Sequence, residues 1–273
     1  MASSSSAIAS FVEAAPPGEL QDVVLDIKTL TGEDPKTASS LEPAFQKYNE
    51  EQFTTVKLPG ASQAVIMSPY NALGNARYYD TESQSSFKYD YSSQNASDVQ
   101  SYPLESSHAD LVKSLLKSVP AQVQEHYPSA TLGVFPTEND SRIAILVVAN
   151  KYSPNNFWNG RWRSSYLYDP SSGALDATIK VDVHYYEDGN VRLLTDRPVS
   201  SSLSPSASAT EITRQIAITE KKYQEDLNRA FGTLNEGTFK GLRRQLPITR
   251  QKIEWDKISG YRLGQDIGGG RSR

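Results

Sequence analysis

An α+β fold, helical at both ends with an antiparallel sheet between, is expected of this 273-residue chain on three observations. Apolar residues recur at three- and four-residue steps in the first fifty positions and again after residue 208. Between about 129 and 196 the period shortens to two, with turn residues at short intervals. The segment from Lys240 to Arg273 then changes character. Nine Lys/Arg face three acids there, a net charge of +6, whereas the whole chain is formally −4, so residues 1–239 carry −10.

The N-terminal third opens with three short helical patterns. Ile8, Phe11, Val12 and Ala15 form a stripe stopped by Pro16-Pro17-Gly18. Leu20, Val23, Val24, Ile27 and Leu30 continue it up to Thr31-Gly32, and Leu41, Phe45 and Tyr48 form a third pattern. Helices this short are marginal alone, so they must pack as a bundle. After Gln52, the residues Phe53, Val56, Val65 and Ile66 and the stretch Ser86–Tyr91 read as short strands punctuated by Gly60, Gly74 and Asp80. The polar run Ser92 to Ser107 reads as a loop. His108 to Tyr127 is again helical, with a kink expected at Pro120.

The clearest strands follow. Ile143 to Ala149 is continuously apolar, as a central strand buried on both faces would be. Trp162, Tyr166 and Tyr168 share one face of the next strand; Ile179, Val181, Val183 and Tyr185 alternate against Lys180, Asp182, His184 and Tyr186. Asp188-Gly189-Asn190 turns the chain into Val191 and Leu193, giving an antiparallel meander. After the Ser/Pro-rich stretch Arg197–Ser208 comes the longest helical pattern, about Ala209 to Arg244, whose apolar stripe (Ile212, Ile216, Tyr223, Leu227, Phe231) needs the meander beneath it. Gly232, Gly237 and Gly241 weaken its second half, Pro247 ends it, and a separate piece follows.

Composition excludes several classes. There is no cysteine, hence no disulfide, thiolate zinc or iron–sulfur site, in keeping with a reducing cytosol. No run approaches the ~20 apolar residues of a membrane span, and no basic n-region precedes an apolar stretch as in a secretory signal. His108, His126 and His184 lack metal-ligand spacing, so neither metal nor cofactor is expected; His184 lies on the polar face of its strand and reads as solvated or hydrogen-bonded. A Gly-x-Ser-x-Gly nucleophile motif is missing, and Gly264–Gly270 lacks the Gly-Lys-Ser/Thr ending of a phosphate loop. Trp158, Arg161, Trp162 and Arg163 resemble a stacking platform for single-stranded nucleic acid. On an acidic body, an aromatic strand pair with arginines packed over the rings is the better reading. Nothing assembles an acid, a base and a pocket, so a binding protein is expected, not an enzyme. In the basic segment Trp255, Ile258 and Tyr261 step by three onto one helical face flanked by Lys257 and Arg262, a pattern for binding an acidic partner with an apolar groove.

Six stretches are longer and more specific than composition. They are Ala15-Pro-Pro-Gly-Glu19, Tyr48-Asn-Glu-Glu-Gln-Phe-Thr-Thr-Val-Lys57, Leu73-Gly-Asn-Ala-Arg77, Asn156-Phe-Trp-Asn-Gly-Arg-Trp-Arg-Ser164, Val183-His-Tyr-Tyr-Glu-Asp-Gly-Asn-Val191 and Leu242-Arg-Arg-Gln-Leu-Pro-Ile-Thr-Arg250. Across about residues 7–267 the chain closely resembles the alpha subunits of heterodimeric F-actin capping proteins. The resemblance implies an N-terminal three-helix stalk, an antiparallel β-meander sheet shared with a beta subunit of like fold, a long helix across the sheet and a mobile amphipathic C-terminal tail. It divides the chain into a stalk over 7–52, small strands and a connecting helix over 53–128, the central sheet over 129–196, the long helix over 207–246 and an actin-binding tail over 247–273, all within one intertwined domain. Calcium-independent capping of filament barbed ends is the implied activity, inhibited by membrane phosphoinositides, in the cytoplasm at cortical actin. Motif by motif, the basic barbed-end residues are Lys240, Arg244 and Arg250, which are also the implied phosphoinositide contacts; the tail's apolar anchors are Trp255 and Ile258, with Leu246 at its root. Ser165-Tyr166 stands where the family often has an acidic residue and Trp, and Gly268–Arg273 departs from the family's tails. The competing class is a phosphoinositide-binding adaptor whose link to actin is secondary, with a nucleic-acid module as a distant third.

Overall fold

The computed structural model describes residues 2–32, 40–61, 63–91, 94–127, 129–187 and 189–233. Among these, α1 (Ala2–Glu13), α2 (Leu20–Thr31) and α3 (Glu42–Glu51) form the expected bundle. Val12, Leu20, Ile27, Leu41, Ala44 and Tyr48 are its buried core. Gly32 ends α2 in the left-handed region (φ 66°), and its N–H donates to the Lys28 carbonyl.

A hairpin of β1 (Thr55–Lys57) and β2 (Ala64–Ile66) and a four-stranded sheet, β3 (Ala72–Gly74), β4 (Arg77–Asp80), β5 (Ser85–Asp90) and β6 (Asn95–Ser101), follow. They enclose a small core of Val56, Val65, Met67, Tyr78, Phe87 and Tyr89. Asn71, fully buried, ties hairpin to sheet: its amide donates to the carbonyls of Ile66 and Tyr79, both at 2.8 Å. The strand β6 corrects the expected loop over Ser92–Ser107. It is an edge strand, paired to β5 alone among the described residues and exposed along most of its length, so burial never imposed an apolar alternation on its sequence.

The second sheet is the meander β7 (Thr131–Thr137), β8 (Arg142–Ser153), β9 (Trp158–Tyr168), β10 (Ala174–Tyr185) and β11 (Val191–Ser202), in the order β11-β10-β9-β8-β7. The strand β8 is buried on both faces, as its unbroken apolar run requires. Ile143, Ile145 and Val147 join Tyr166, Tyr168 and Leu175 against α4 (Ala109–His126) and the first part of α5 (Ala209–Thr233). Ala144, Leu146 and Val148 face the other way, onto Phe53, Ile66 and Phe135. Helix α4 runs on through Pro120: the ring removes one donor, while Val119 and Val123 bury on either side. A second compact unit begins at Lys222, and of it the structure describes the end of α5. No described helix is long and apolar enough to cross a membrane.

Candidate functional site

All six sequence-predicted actin contacts, Lys240, Arg244, Leu246, Arg250, Trp255 and Ile258, lie outside the described residues, and with them the predicted phosphoinositide set. What the structure shows is how the helix leading toward them is fixed. Ser208 and Glu211 form a reciprocal cap: the Glu211 carboxylate accepts from the Ser208 backbone N–H and hydroxyl (both 2.8 Å), while the Glu211 N–H donates to Ser208 Oγ (3.3 Å). The Ala207 N–H donates to the Tyr168 hydroxyl at 2.8 Å, and Thr213 bonds Ser118 of α4 at 2.9 Å. Three turns into α5, Glu220 is buried and accepts from the hydroxyls of Tyr166 (2.8 Å) and Tyr127 (3.1 Å). Burial raises the Glu220 carboxyl above its ordinary value, only partly offset by the hydrogen bonds it accepts. The Tyr166 hydroxyl is pushed up as well, by burial first and then by Glu220.

Four of the six long sequence stretches meet elsewhere, where the helical bundle docks on the sheet. Arg161 and Arg163, read from sequence as packed over aromatic rings, are instead buried on the face of β9 opposite Trp162 and point into this junction. Arg161 donates from Nε to Asn150 Oδ1 (2.7 Å), from Nη2 to the Tyr152 hydroxyl (2.6 Å) and from Nη1 to the Gln52 carbonyl (3.3 Å) and side chain (3.2 Å). Arg163 donates to the Glu51 carbonyl. Its guanidinium is lowered to about 10, by burial first and by the neighbouring Arg161 second. Two strands over, on β11, Arg192 grips Asp182 of β10 with two bonds and reaches the carbonyls of Ala14 and Ala15. The pairing with Asp182 raises the Arg192 guanidinium. Three cations thus sit at the C-terminal ends of α1 and α3, where the last carbonyls have no partner within the helix and the helix dipole is negative.

Glu19, at the start of α2, completes the junction. It accepts from His184 Nδ1 at 2.8 Å and from the Asn159 amide at 2.9 Å, so His184 is hydrogen-bonded on the polar face as expected. Gly18, at φ 78°, lies against the Tyr152 ring at 3.1 Å from where a Cβ would stand, leaving little room for any other residue. Sequence reasoning missed this cluster as a unit. The available signal was the alternation Asn159, Arg161, Arg163 along one face of a buried strand, opposite Asp182 and His184 of the next.

At the far edge of the sheet, the twelve residues of β11 pair with β10 alone among the described residues. Val191 and Leu194 are 65% and 63% exposed on it, so a long edge offers free backbone groups beside apolar side chains.

Comparison with known proteins gives this arrangement a family. The family model described as F-actin capping protein alpha subunit matches residues 8–266. The F-actin-capping protein subunit alpha of Neurospora crassa is 63% identical over the full length of both chains. That of Gibberella zeae is 65% identical over 97% of each, and that of Caenorhabditis elegans 36% identical over 94% of each. In fold, the chain is similar to the solved homodimeric actin capping protein alpha subunit from Plasmodium berghei, with a TM-score of 0.69 at 19% identity over 87% of this chain and 94% of that one. Matched along nearly its whole length in sequence and in fold, the chain belongs to the F-actin capping protein alpha subunit family.

Proposed function

We propose that this chain is the alpha subunit of a heterodimer that binds the barbed ends of actin filaments and blocks subunit addition and loss without calcium. Family membership over residues 8–266 carries the reading. The activity is one of binding, not catalysis, and belongs to the actin cytoskeleton of the cytoplasm; we assign it to cortical actin. The exposed edge of β11 supports a beta subunit as partner, because a second sheet added there would pair its free backbone groups and cover Val191 and Leu194. Residues 7–52 are the stalk in this reading, and residues 247–273 the actin-binding tail.

Capture takes place at two points. Lys240, Arg244 and Arg250 draw the complex toward an acidic surface on the terminal actins and raise the encounter rate. Trp255 and Ile258, with Leu246 at the root, then seat one face of the tail in an apolar groove, each large side chain contributing about 1.5–3 kcal/mol when fully buried. Slow release comes from body and tails engaging together. The same three cations contribute about 1 kcal/mol each at an anionic bilayer, enough for phosphoinositides to compete with actin. The adaptor reading is not favoured, since the family's match spans the body as well as the tail.

Seeded actin elongation tests the proposal with the chain alone, with its co-expressed beta subunit, and with that complex truncated from Pro247. The complex should block elongation. Losing two anchors of about 3–6 kcal/mol should shorten residence at filament ends at least a hundredfold while leaving the dimer intact. Full capping by the truncated complex would refute the two-point mechanism.

A further inference from the structure

Pro198 stands exposed in β11, opposite Thr178, in a ladder with β10 that runs without a register shift from Ala174 and Ser202 to Tyr185 and Val191. The direction of its nitrogen follows from the bond that extends this ladder by one pair. There the Leu203 N–H donates to the Gly173 carbonyl at 2.8 Å. In an antiparallel pair, residues that bond to the neighbouring strand alternate with residues that face away from it. Odd-numbered residues of β11 therefore bond to β10, while Arg192, Leu194, Asp196, Pro198, Ser200 and Ser202 turn their backbone groups to the open edge. Pro198 costs the β10 ladder nothing. Having no N–H, it leaves a gap in the row of donors that the open edge presents.

That gap weighs differently on two kinds of added strand. A second copy of this chain would lay its β11 antiparallel to the first about a two-fold axis, so that every pairing occurs twice. Even-numbered residues must then face even-numbered ones, and two registers overlap the 12 residues of the strand most fully. One sets Pro198 against Leu194 and Asp196 against Asp196; the other sets Pro198 against Asp196 and Arg197 against Arg197. Either register forfeits a hydrogen bond at each copy's proline and brings like charges directly opposite at the axis, which is destabilising. A strand from a different subunit meets one such proline and can carry other residues opposite Asp196 and Arg197.

We propose that Asp196-Arg197-Pro198 selects the partner of this edge, admitting the strand of a different subunit and turning away a second copy of the chain. The inference rests on the beta-subunit reading of β11 given above and names the residues that set that partner apart from self. Lys180 pairs with Asp196 at 3.3 Å and offsets part of its charge, so the missing donor at Pro198 is the larger obstacle.

The test co-expresses the full chain with a limiting amount of its beta subunit, and native mass spectrometry separates homodimer from heterodimer. The parent should give heterodimer. Pro198→Thr restores the donor in a strand-favouring residue and should raise the ratio of homodimer to heterodimer at least about tenfold. Adding Ser200→Pro to that variant moves the gap two residues along the same edge and should return the ratio to the parent's. The heterodimer that each variant still forms shows that it folds. An unchanged ratio in Pro198→Thr overturns the inference, as does a raised ratio that persists in the double variant. Absence of heterodimer from the parent would instead overturn the beta-subunit reading itself, and the inference with it.

Discussion

Arg192 holds the carboxylate of Asp182 with two parallel bonds, Nε to Oδ1 at 2.9 Å and Nη2 to Oδ2 at 2.7 Å, and with the rest of its fork caps the carbonyls that end the first stalk helix. Asp182 is 1% exposed, and Arg192 is the cation hydrogen-bonded to it. Removing one partner from a buried pair strands the other, at a cost of about 3–5 kcal/mol. Asp182→Ala should therefore lower the melting temperature of the complex by far more than Lys180→Ala, which breaks an exposed cross-strand pair with Asp196 of β11. Arg192→Lys should recover little, because an ammonium lacks the planar fork. Equal melting of the two alanine variants would sink this account of the junction.

Arg161 and Arg163 are two residues apart on one strand and equally buried, yet their replacement by Met should have different consequences. Arg161 serves the buried Gln52, the half-buried Asn150 and the exposed Tyr152, so Arg161→Met leaves Gln52 and Asn150 without this partner, for about 1–3 kcal/mol. Arg163 reaches the Glu51 carbonyl, while its buried Nε has no partner and burial already lowers it to about 10. A well-packed apolar side chain of similar volume often replaces such a cation at no net loss, so Arg163→Met should change stability by less than about 1 kcal/mol. Denaturant midpoints of the two variants decide it; a loss for Arg163→Met as large as for Arg161→Met contradicts the assignment.

Much of the fold was legible because burial leaves a periodic trace. The unbroken run Ile143–Ala149 could only be a strand covered on both sides, and the alternation Ile179, Val181, Val183 marked the next strands of the meander. Exposure erases that trace: β6 pairs on one side, faces water and kept a polar, loop-like sequence. The junction was hidden for a different reason. A buried Arg looks like a surface Arg until the register reveals Asn150 and Asp182 opposite it, and register is a property of neighbouring strands, not of one stretch. Glu220 was legible in principle. It follows Ile212 and Ile216 at steps of four, which places a carboxylate within the apolar stripe of its helix. The predicted actin contacts were read from motif and charge, and fall outside the described residues.

That buried Glu220 gives stability a definite pH dependence. Its folded value lies above the ordinary 4.5, so between the two values the folded state holds more protons than the unfolded one. Its contribution is fully present below about 4.5 and is lost as pH rises through the raised folded value. Glu220→Gln keeps the shape and an acceptor for Tyr166 while removing the titration. The stability of the variant relative to the parent should then rise as pH increases across that window. Urea unfolding of both complexes from pH 5 to pH 8 measures it. Parallel curves would mean that Glu220 titrates alike in folded and unfolded chains.

Electrostatic steering by the basic end of the chain makes a prediction in ionic strength. Lys240, Arg244 and Arg250 belong to a segment of net +6 attached to a body of −10, so attraction to an acidic filament end must come from this local patch. The Debye length falls from about 30 Å at 0.01 M salt to about 10 Å at 0.1 M, so a steering contribution shrinks steeply over that range. Replacing all three residues with Ala should slow capping roughly tenfold at the low end and far less at the high end. The dissociation rate should move less than the association rate, because in the proposed two-point mechanism Trp255 and Ile258 remain to hold the filament. Capping kinetics at filament seeds, measured across a salt series, separate the two rates. A deficit of equal size at every salt concentration would assign these cations to short-range contacts at the filament end instead of to steering.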